Sequence, residues 1–211
     1  RRASPWYHLH IVTEAVRLDL CPGAWIDFWP ELVPDHEAWL AVLTGELPLA
    51  SETYRVAGRT VAAPRLVSWH GDAGTDYVYS GVRHHPAPWP PALAELRGLV
   101  ERQSGLRFNS ALANYYRDGG DGMGWHTDAE PEVGPAACDR WIASLSLGAP
   151  RRFVLRHNRR RDDRREFELG RGSLLVMRGT TQTHYRHGAP KTARAVGPRL
   201  NITFRHIRIA R

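Results

Sequence analysis

Lysine and cysteine are scarce in this chain of 211 residues. Lys191 is the single lysine, so nearly all the positive charge is carried by guanidinium groups. The two cysteines, Cys21 and Cys138, are too few for a disulfide scaffold, which favours a reducing, cytoplasmic location. No apolar run approaches the roughly 18 residues that span a bilayer, which excludes a membrane-spanning helix. We therefore expect a cytoplasmic monomer with no membrane partner.

Acidic residues are outnumbered by basic ones, 22 against 29, and the formal net charge is +7. Guanidinium groups pair bidentately with phosphate and carboxylate. The excess of arginine therefore indicates a polyanionic partner such as nucleic acid. Charge alone supports a nucleic-acid partner and the absence of one about equally, because many basic proteins bind no nucleic acid specifically. Hydrophobic residues make up 42% and charged residues 24%, which is ordinary globular composition and excludes a disordered chain.

The hydrophobic pattern divides the chain into an N-terminal extension, residues 1–30, and a single domain, residues 31–211. Apolar residues at helical spacing predict a helix over residues 35–46. A second helix is predicted with Pro90 and Pro91 at its start, because proline is favoured in the first helical turn, and with Gly105 after its end.

Short strands separated by turn residues are predicted through the rest of the chain. They are 66–70, 76–80, 108–116, 141–147, 152–156, 166–169, 173–177 and 199–208. Many short strands after two helices predict an α+β, mainly β, fold of the barrel or sandwich type, in which the helices brace one sheet. The stretch 156–165 is rich in arginine and has no apolar residue, so it is predicted as a solvated loop between two strands.

His126 and Asp128 stand two positions apart, and on an extended chain their side chains point to the same side. A second histidine from a distant strand would complete the set of two histidines and one carboxylate that leaves open positions on ferrous iron. Zinc prefers a closed, four-coordinate set. An H-x-D pair is weak evidence alone. His184 and His187 are both candidates for the distal ligand, and spacing does not choose between them.

A segment near the C-terminal end alternates between apolar and polar residues. The apolar positions are Leu200, Ile202 and Phe204, and the polar ones are Arg199, Asn201, Thr203 and Arg205. Two arginines on one face of a core strand are costly unless an anion pairs with them. A small dicarboxylate that chelates the iron, namely 2-oxoglutarate, supplies such an anion. The Cα atoms of Arg199 and Arg205 would be about 20 Å apart in an ideal strand, so sharing one ligand requires both side chains to lean inward or the strand to bend. Phosphate contacts or surface ion pairs are the alternative.

Further motifs accompany these residues between about Pro64 and Ile207. They are Pro64-Arg65, Gly71-Asp72, Tyr77-Val78-Tyr79-Ser80-Gly81, Asn114-Tyr115-Tyr116-Arg117-Asp118-Gly119, Ala143-Ser144-Leu145-Ser146-Leu147-Gly148, Gly172-Ser173-Leu174-Leu175 and His187-Gly188-Ala189-Pro190. In this order and spacing the segment resembles the AlkB-type Fe(II)- and 2-oxoglutarate-dependent dioxygenases, and among them the members that repair DNA.

The resemblance implies a double-stranded β-helix, or jelly roll, and oxidative removal of alkyl groups from bases of the 1-methyladenine and 3-methylcytosine type. Oxygen would be consumed, 2-oxoglutarate would become succinate and CO2, and an aldehyde would be released. The resemblance also implies that His187 rather than His184 joins His126 and Asp128 as an iron ligand. The residues that it places around 2-oxoglutarate are Asn114, Tyr116, Arg199, Asn201, Thr203 and Arg205.

The resemblance also nominates substrate contacts. They are Ala57, Gly58, Arg59, Tyr77, Val78, Tyr79 and Glu130. Tyr79 would stack on the flipped base, and an aromatic surface repays part of the cost of unstacking it. Duplex-repairing members carry an aromatic finger where this chain has Ala57, and an acidic residue where it has Ala129. The preference between single and double strands, and between DNA and RNA, therefore stays open. The alternatives are a dioxygenase that acts on a protein side chain or modified RNA, and a non-catalytic basic module that binds nucleic acid.

Overall fold

Antiparallel sheets dominate the computed structural model, which describes residues 14–56, 59–79, 82–128 and 141–208. The strands are β1 (Val16–Cys21), β2 (Ala24–Trp29), β3 (Ala50–Val56), β4 (Arg59–Gly71), β5 (Tyr77–Tyr79), β6 (Val82–His84), β7 (Ser110–Tyr116), β8 (Met123–His126), β9 (Ile142–Gly148), β10 (Arg151–His157), β11 (Arg164–Leu169), β12 (Ser173–Gly179), β13 (Tyr185–Ala189) and β14 (Arg199–Arg205). The helices are α1 (His36–Glu46), α2 (Pro91–Ser104) and α3 (Thr181–His184).

The strands form one large sheet, one small sheet and a separate hairpin. The large sheet has eight strands in the order β1-β2-β12-β9-β14-β7-β4-β3. The small sheet has four strands in the order β11-β10-β13-β8, and β5 pairs with β6 alone. The predicted mainly β fold is therefore confirmed, and β14 occupies a central position between β9 and β7.

One face of the large sheet is covered by α1 and α2. Trp39 and Leu43 of α1 and Leu93 and Leu96 of α2 are buried in a cluster that includes apolar residues of β9, β12 and β14. Full burial of such a side chain stabilises the fold by about 1.5–3 kcal/mol. The helices therefore brace this sheet, as the sequence predicts, and leave its other face to pack on the small sheet.

The boundaries of α1 and α2 agree with the sequence. Proline stands at the start of α2, where its missing N–H costs nothing, and Gly105 ends the helix with a φ of 69°. That left-handed conformation is open to glycine without strain. Among the described residues, no helix is both long and apolar enough to cross a membrane.

A second apolar cluster fills part of the space between the two sheets. Leu155 and Tyr185 come from the small sheet, and Ile142, Leu175 and Met177 come from the large sheet. Beside this cluster the facing side chains become polar, and the candidate site lies there.

The sequence pattern missed the strands β1, β2, β3, β6, β8 and β13 and the helix α3. Within the predicted extension, β1 and β2 belong to the large sheet, where β2 pairs with β12. The division of the chain at residue 30 stays a prediction. The loop prediction for residues 156–165 was too long, because β10 extends to His157 and β11 begins at Arg164. Arginine side chains on the exposed face of these strands conceal the apolar alternation.

Candidate active site

His126, Asp128 and His187 lie together between the sheets, and one ligand atom from each lies within 4.8 Å of the others. The antiparallel register of β8 and β13 sets His126 directly opposite His187, with ring centroids 4.2 Å apart. Asp128 follows β8 two residues after His126. Two imidazoles and one carboxylate that converge in this way match the donor set of non-haem ferrous iron.

Backbone contacts hold the His126 ring in a defined orientation. Its Nδ1 lies 2.9 Å from the carbonyl oxygen of Gly124, and this bond assigns the proton to Nδ1 and leaves the Nε2 lone pair for a metal. A Cβ on Gly188 would come within 3.0 Å of the Met123 carbonyl oxygen, so glycine there lets β13 approach β8 closely. His184 lies elsewhere and stacks on His157 at 5.9 Å.

Asp128 is 3% exposed and is surrounded by cationic and polar groups. Its Oδ1 accepts a hydrogen bond of 2.5 Å from Nη2 of Arg205, and its Oδ2 lies 3.4 Å from Nε2 of His187. Its backbone N–H donates to the side-chain oxygen of Gln182 at 2.9 Å. Burial alone would raise the pKa of Asp128, but the guanidinium of Arg205 and the two histidines hold it well below its usual range. Asp128 is therefore a carboxylate at every physiological pH.

Desolvation, with repulsion from the neighbouring His187, lowers the pKa of His126 to about 4. Its ring is therefore neutral at physiological pH. Neutral imidazole is the form that coordinates metals, so His126 can bind a metal ion without first losing a proton.

A cavity of about 940 Å³, its open mouth included, adjoins the three residues. Its polar wall includes Arg65, Asn114, Tyr116, Ser144, Arg199, Asn201, Thr203 and Arg205, and its apolar wall includes Trp69, Leu112, Met123, Ile142, Phe153 and Met177. The polar residues of β14 all face the cavity, as the strict alternation of that strand predicts.

Arg199 lies on this wall and is 2% exposed. Nη2 of Arg199 donates to Oγ of Ser146 at 2.8 Å, and its guanidinium lies 5.2 Å from the ring centroid of Tyr116. Burial lowers the pKa of Arg199. Within the described residues Arg199 forms no ion pair, and its Nε has no hydrogen-bond partner. A buried guanidinium in this state is suited to an anionic ligand, since the cost of burying a charge falls when a counter-charge is supplied.

Arg205 differs from Arg199, because its ion pair is with the metal-site carboxylate Asp128. The two arginines therefore serve different parts of the site. Arg199 and Arg205 lie far apart along an extended strand, so one small ligand cannot easily contact both side chains. This difficulty disappears if Arg205 mainly orients Asp128 and only Arg199 contacts the distal end of the ligand.

Several residues that the sequence analysis assigned no role support the polar wall. Nε of Arg65 donates to Oδ1 of Asn114 at 2.7 Å, and Nδ2 of Asn201 donates to Oγ of Ser144 at 2.7 Å. Arg151 lies behind Tyr116 with its guanidinium bonded to three backbone carbonyls. Alternating serines on a buried strand were a usable signal for Ser144. Gln182 lies on a four-residue helix, and no sequence pattern indicated its role.

The nominated substrate contacts are described only in part. Tyr77, Val78 and Tyr79 form β5, and Arg59 begins β4. Ala57, Gly58 and Glu130 lie outside the described residues, as does Ala129. Their roles remain predictions.

Two histidines and a carboxylate beside a cavity with a buried arginine define an iron oxygenase that uses an anionic cosubstrate. The model of the 2OG-Fe(II) oxygenase superfamily matches residues 29–205. The chain belongs to this superfamily and, within it, to the AlkB family. The resemblance stated from the sequence motifs is therefore confirmed.

Individual relatives agree with this assignment. Human DNA oxidative demethylase ALKBH2 is 40% identical over 184 residues, which cover 84% of this chain and 68% of the relative. Bovine alpha-ketoglutarate-dependent dioxygenase alkB homolog 3 is 34% identical over 200 residues, which cover 90% of this chain and 66% of the relative. The chain thus spans about two thirds of the length of these curated relatives. The solved structure of OsALKBH1 shares the fold, with a TM-score of 0.64 at 17% identity over 90% of this chain and 100% of that one.

Proposed function

We propose that this chain is an Fe(II)- and 2-oxoglutarate-dependent dioxygenase that oxidatively removes alkyl groups from the bases of alkylated DNA. The observation that carries the proposal is the convergence of His126, Asp128 and His187 beside a cavity in which Arg199 is buried without a carboxylate partner among the described residues. The similarity to DNA oxidative demethylase ALKBH2 and to alkB homolog 3 supports alkylated nucleic acid as the substrate.

The three converging side chains would hold the iron. His126 offers Nε2 because its Nδ1 is bonded to Gly124, and Asp128 is held ionised and oriented by Arg205 and Gln182. This arrangement fixes the ligands before the metal arrives. Such outer contacts orient the ligands and raise metal affinity.

The polar wall would hold 2-oxoglutarate. Arg199 and Tyr116 supply a cation and a phenol at the end of the cavity away from Asp128, which suits the distal carboxylate. Asn114, Asn201 and Thr203 supply amide and hydroxyl groups between the two ends, and Arg205 lies at the metal end. The amides are themselves fixed by Arg65 and Ser144, so the wall is preorganised.

Bound iron would supply the oxidising chemistry, in which 2-oxoglutarate and O2 yield succinate and CO2 while the alkyl carbon on the base nitrogen is hydroxylated. The protein binds, orients and excludes water. The apolar wall of Trp69, Leu112 and Phe153 keeps the reacting groups out of bulk water. The hydroxylated product then loses the alkyl carbon as an aldehyde, which is formaldehyde for a methyl group.

The base itself would be held by the substrate contacts that the family resemblance nominates. Tyr77 and Tyr79 of β5 would contact and stack on it, with Val78 between them, and Glu130 would face the cationic edge of a methylated base. Ala57, Gly58 and Arg59 would contact the strand from which the base is flipped. Alkylated RNA is a second substrate within the same proposal, and the protein would act as a monomer.

Anaerobic reconstitution with Fe(II), followed by addition of 2-oxoglutarate, oxygen and methylated single- or double-stranded oligonucleotides, tests the proposal. Mass spectrometry should show loss of the methyl group and stoichiometric succinate. His187→Ala should abolish both. His184→Ala is the matched control, since His184 lies outside the cluster, and it should keep turnover.

Two results would contradict the proposal. Succinate formation that no methylated oligonucleotide stimulates, but that a protein extract does, would indicate a protein substrate. Purified protein that binds no iron and binds nucleic acid equally well with His126→Ala would indicate a non-catalytic module.

A further inference from the structure

Arg151 places a second buried guanidinium near the end of the cavity where Arg199 lies. It begins β10, is 3% exposed and is absent from the residues that line the cavity. Both guanidinium groups lie against the ring of Tyr116, because Cζ of Arg151 is 5.8 Å and Cζ of Arg199 is 5.2 Å from the ring centroid. The two Cζ atoms are therefore at most about 11 Å apart. Two cations at this separation in a buried region interact with each other and with any ion bound near them.

The hydrogen bonds of Arg151 go to neutral acceptors. Its Nη1 donates to the carbonyl oxygen of Asp118 at 2.8 Å. Its Nη2 donates to the carbonyl oxygens of Asp121 and Pro190 at 2.8 and 3.0 Å. Carbonyl oxygens satisfy the N–H groups but have no net charge, and in the described part of the chain Arg151 forms no ion pair. Its positive charge therefore remains uncompensated.

Two acidic side chains near Arg151 have other partners. The carboxylate of Asp121 accepts hydrogen bonds from Nε and Nη2 of Arg117, each at 2.8 Å. Asp118 is exposed, and its Oδ1 accepts from the backbone N–H of Gly120 at 2.7 Å. Neither carboxylate is directed at Arg151, so the charge of this arginine is left to act on the cavity.

The effect of Arg151 is already visible at Arg199. Burial, together with a smaller repulsion from Arg151, lowers the pKa of Arg199. Like charges that are buried near each other raise the energy of an empty site, and a bound anion lowers that energy. The main-chain bonds of Arg151 fix its guanidinium outside the cavity lining. It can therefore favour an anion through its charge but is not positioned to contact one.

We propose that Arg151 is a specificity-determining residue, which makes this end of the cavity select a cosubstrate with a charged distal group. This inference rests on the proposed function and deepens it. Arg199 would bind the distal carboxylate directly, and Arg151 would add a second favourable charge behind the contact. Unit charges about 10 Å apart, at an effective dielectric constant of about 20, attract strongly enough to change an affinity about tenfold.

A purely structural role for Arg151 makes a different prediction. Its three hydrogen bonds also join the loops that follow β7 and β13. Loss of these bonds would weaken the binding of every 2-oxo acid alike, whereas loss of the charge weakens only a ligand with a charged distal end. The ratio of two affinities therefore separates the roles, because the structural effect cancels in it.

Calorimetric titration without oxygen, with Mn(II) in place of Fe(II), measures this ratio without turnover. The ligands are 2-oxoglutarate and its 5-methyl ester, which keeps the 2-oxo acid end and lacks the distal charge. Arg151→Gln should reduce the preference for 2-oxoglutarate about tenfold. Arg151→Lys keeps the charge and should keep the preference. An unchanged preference in Arg151→Gln, or an equal loss of preference in both variants, would overturn the inference.

The matched control is Arg102→Gln. Arg102 is an exposed arginine of α2, which covers the opposite face of the large sheet, so its replacement changes the net charge equally but lies far from the cavity. The preference for 2-oxoglutarate should stay within about twofold of the native value. An equal reduction in this control would show that net charge alone matters and would overturn the role of Arg151.

A variant that leaves Arg151 in place keeps the inference testable if Arg151→Gln does not fold. Arg199→Met should still bind 2-oxoglutarate about tenfold more tightly than the ester, because Arg151 remains. Equal affinities in this variant would overturn the inference. Native protein that binds neither 2-oxo acid would contradict the proposed function itself, whereas native protein that binds 2-oxoglutarate with a preference independent of Arg151 would overturn the inference alone.

Discussion

Arginine occurs in this protein in two settings that differ in burial and in partners. The buried arginines are Arg65, Arg151, Arg199 and Arg205, and the exposed ones include Arg156 of β10, Arg186 of β13, and Arg159 and Arg161 in the turn after β10. A buried guanidinium must be compensated by fixed partners, whereas an exposed one remains hydrated at little cost. The buried group should therefore control stability and cosubstrate binding, and the exposed group should affect only association with a polyanion.

The buried group is itself divided by the kind of partner. Arg205 pairs with a carboxylate, Arg151 with three carbonyls and Arg65 with Asn114. Arg199 has a serine hydroxyl and a tyrosine ring but no anion among the described residues. The difference supports the proposal that the partner of Arg199 is a bound ligand.

Removal of Asp128 should have the largest effect. Asp128→Ala deletes a proposed metal ligand and removes the carboxylate that pairs with the buried Arg205, so the free energy of unfolding should fall by about 3–5 kcal/mol and turnover should vanish. Urea unfolding of metal-free protein measures the free energy of unfolding, and succinate formation measures turnover. The double variant Asp128→Ala, Arg205→Met should recover much of the stability but no activity. A single variant as stable as the native protein would contradict the account of this ion pair.

Replacement of Arg199 should separate ligand binding from stability. Arg199→Met keeps the length of the side chain and removes the uncompensated charge, so the KM for 2-oxoglutarate should rise about 100-fold, as expected for a lost charged hydrogen bond. The free energy of unfolding should change by less than about 1 kcal/mol. Steady-state kinetics and urea unfolding test the two parts. An unchanged KM would remove Arg199 from the cosubstrate site.

The stability of the metal-free protein should depend on pH through His126. The pKa of His126 is about 4 in the folded protein, and that of an unfolded histidine is about 6.5. Between these values the unfolded chain binds more protons, so stability is complete above pH 6.5 and is lost as the pH falls towards 4, by about 2–3 kcal/mol. Urea unfolding between pH 4.5 and 7.5 measures this slope. His126→Gln should flatten it, and the same slope in that variant would assign the dependence to another group.

Stability should respond least to the exposed arginines. Replacing Arg156 and Arg186 by serine relieves repulsion across β10 and β13, so the free energy of unfolding should stay within about 0.5 kcal/mol of the native value or rise slightly. Thermal unfolding at low salt is the most sensitive measurement, since salt screens this repulsion. A clear destabilisation would show that contacts such as the hydrogen bond from Nε of Arg186 to Oδ1 of Asn158, at 3.3 Å, outweigh this repulsion.

The sequence predicted the elements whose periodicity is strong. The α1 and α2 helices and the strand β14 were found because their apolar spacing follows the secondary structure. The strands β8 and β13, which carry the proposed metal ligands His126 and His187, were not predicted, because each is short and polar and pairs with a strand distant in the chain. Local periodicity contains no information about such pairing.

The site was predictable to the extent that its chemistry is local. His126 and Asp128 share a motif, but the choice of His187 over His184 rested on family resemblance, because spacing does not show that His184 ends α3 while His187 lies on β13 opposite His126. The bond from Gln182 to Asp128, which joins residues 54 apart in sequence, had no local signal. The separate tasks of Arg199 and Arg205 became visible only from their partners.

The alternation of side chains along β8 links the two surfaces of the small sheet. Because successive residues of a strand face opposite sides, the pairing that directs His126 to the cavity directs Trp125 to the exposed face of the small sheet. Insertion or deletion of one residue within β8 would exchange the two side chains and disrupt the proposed iron site. Evolutionary change between Met123 and Asp128 should therefore proceed by substitution rather than by a change of chain length.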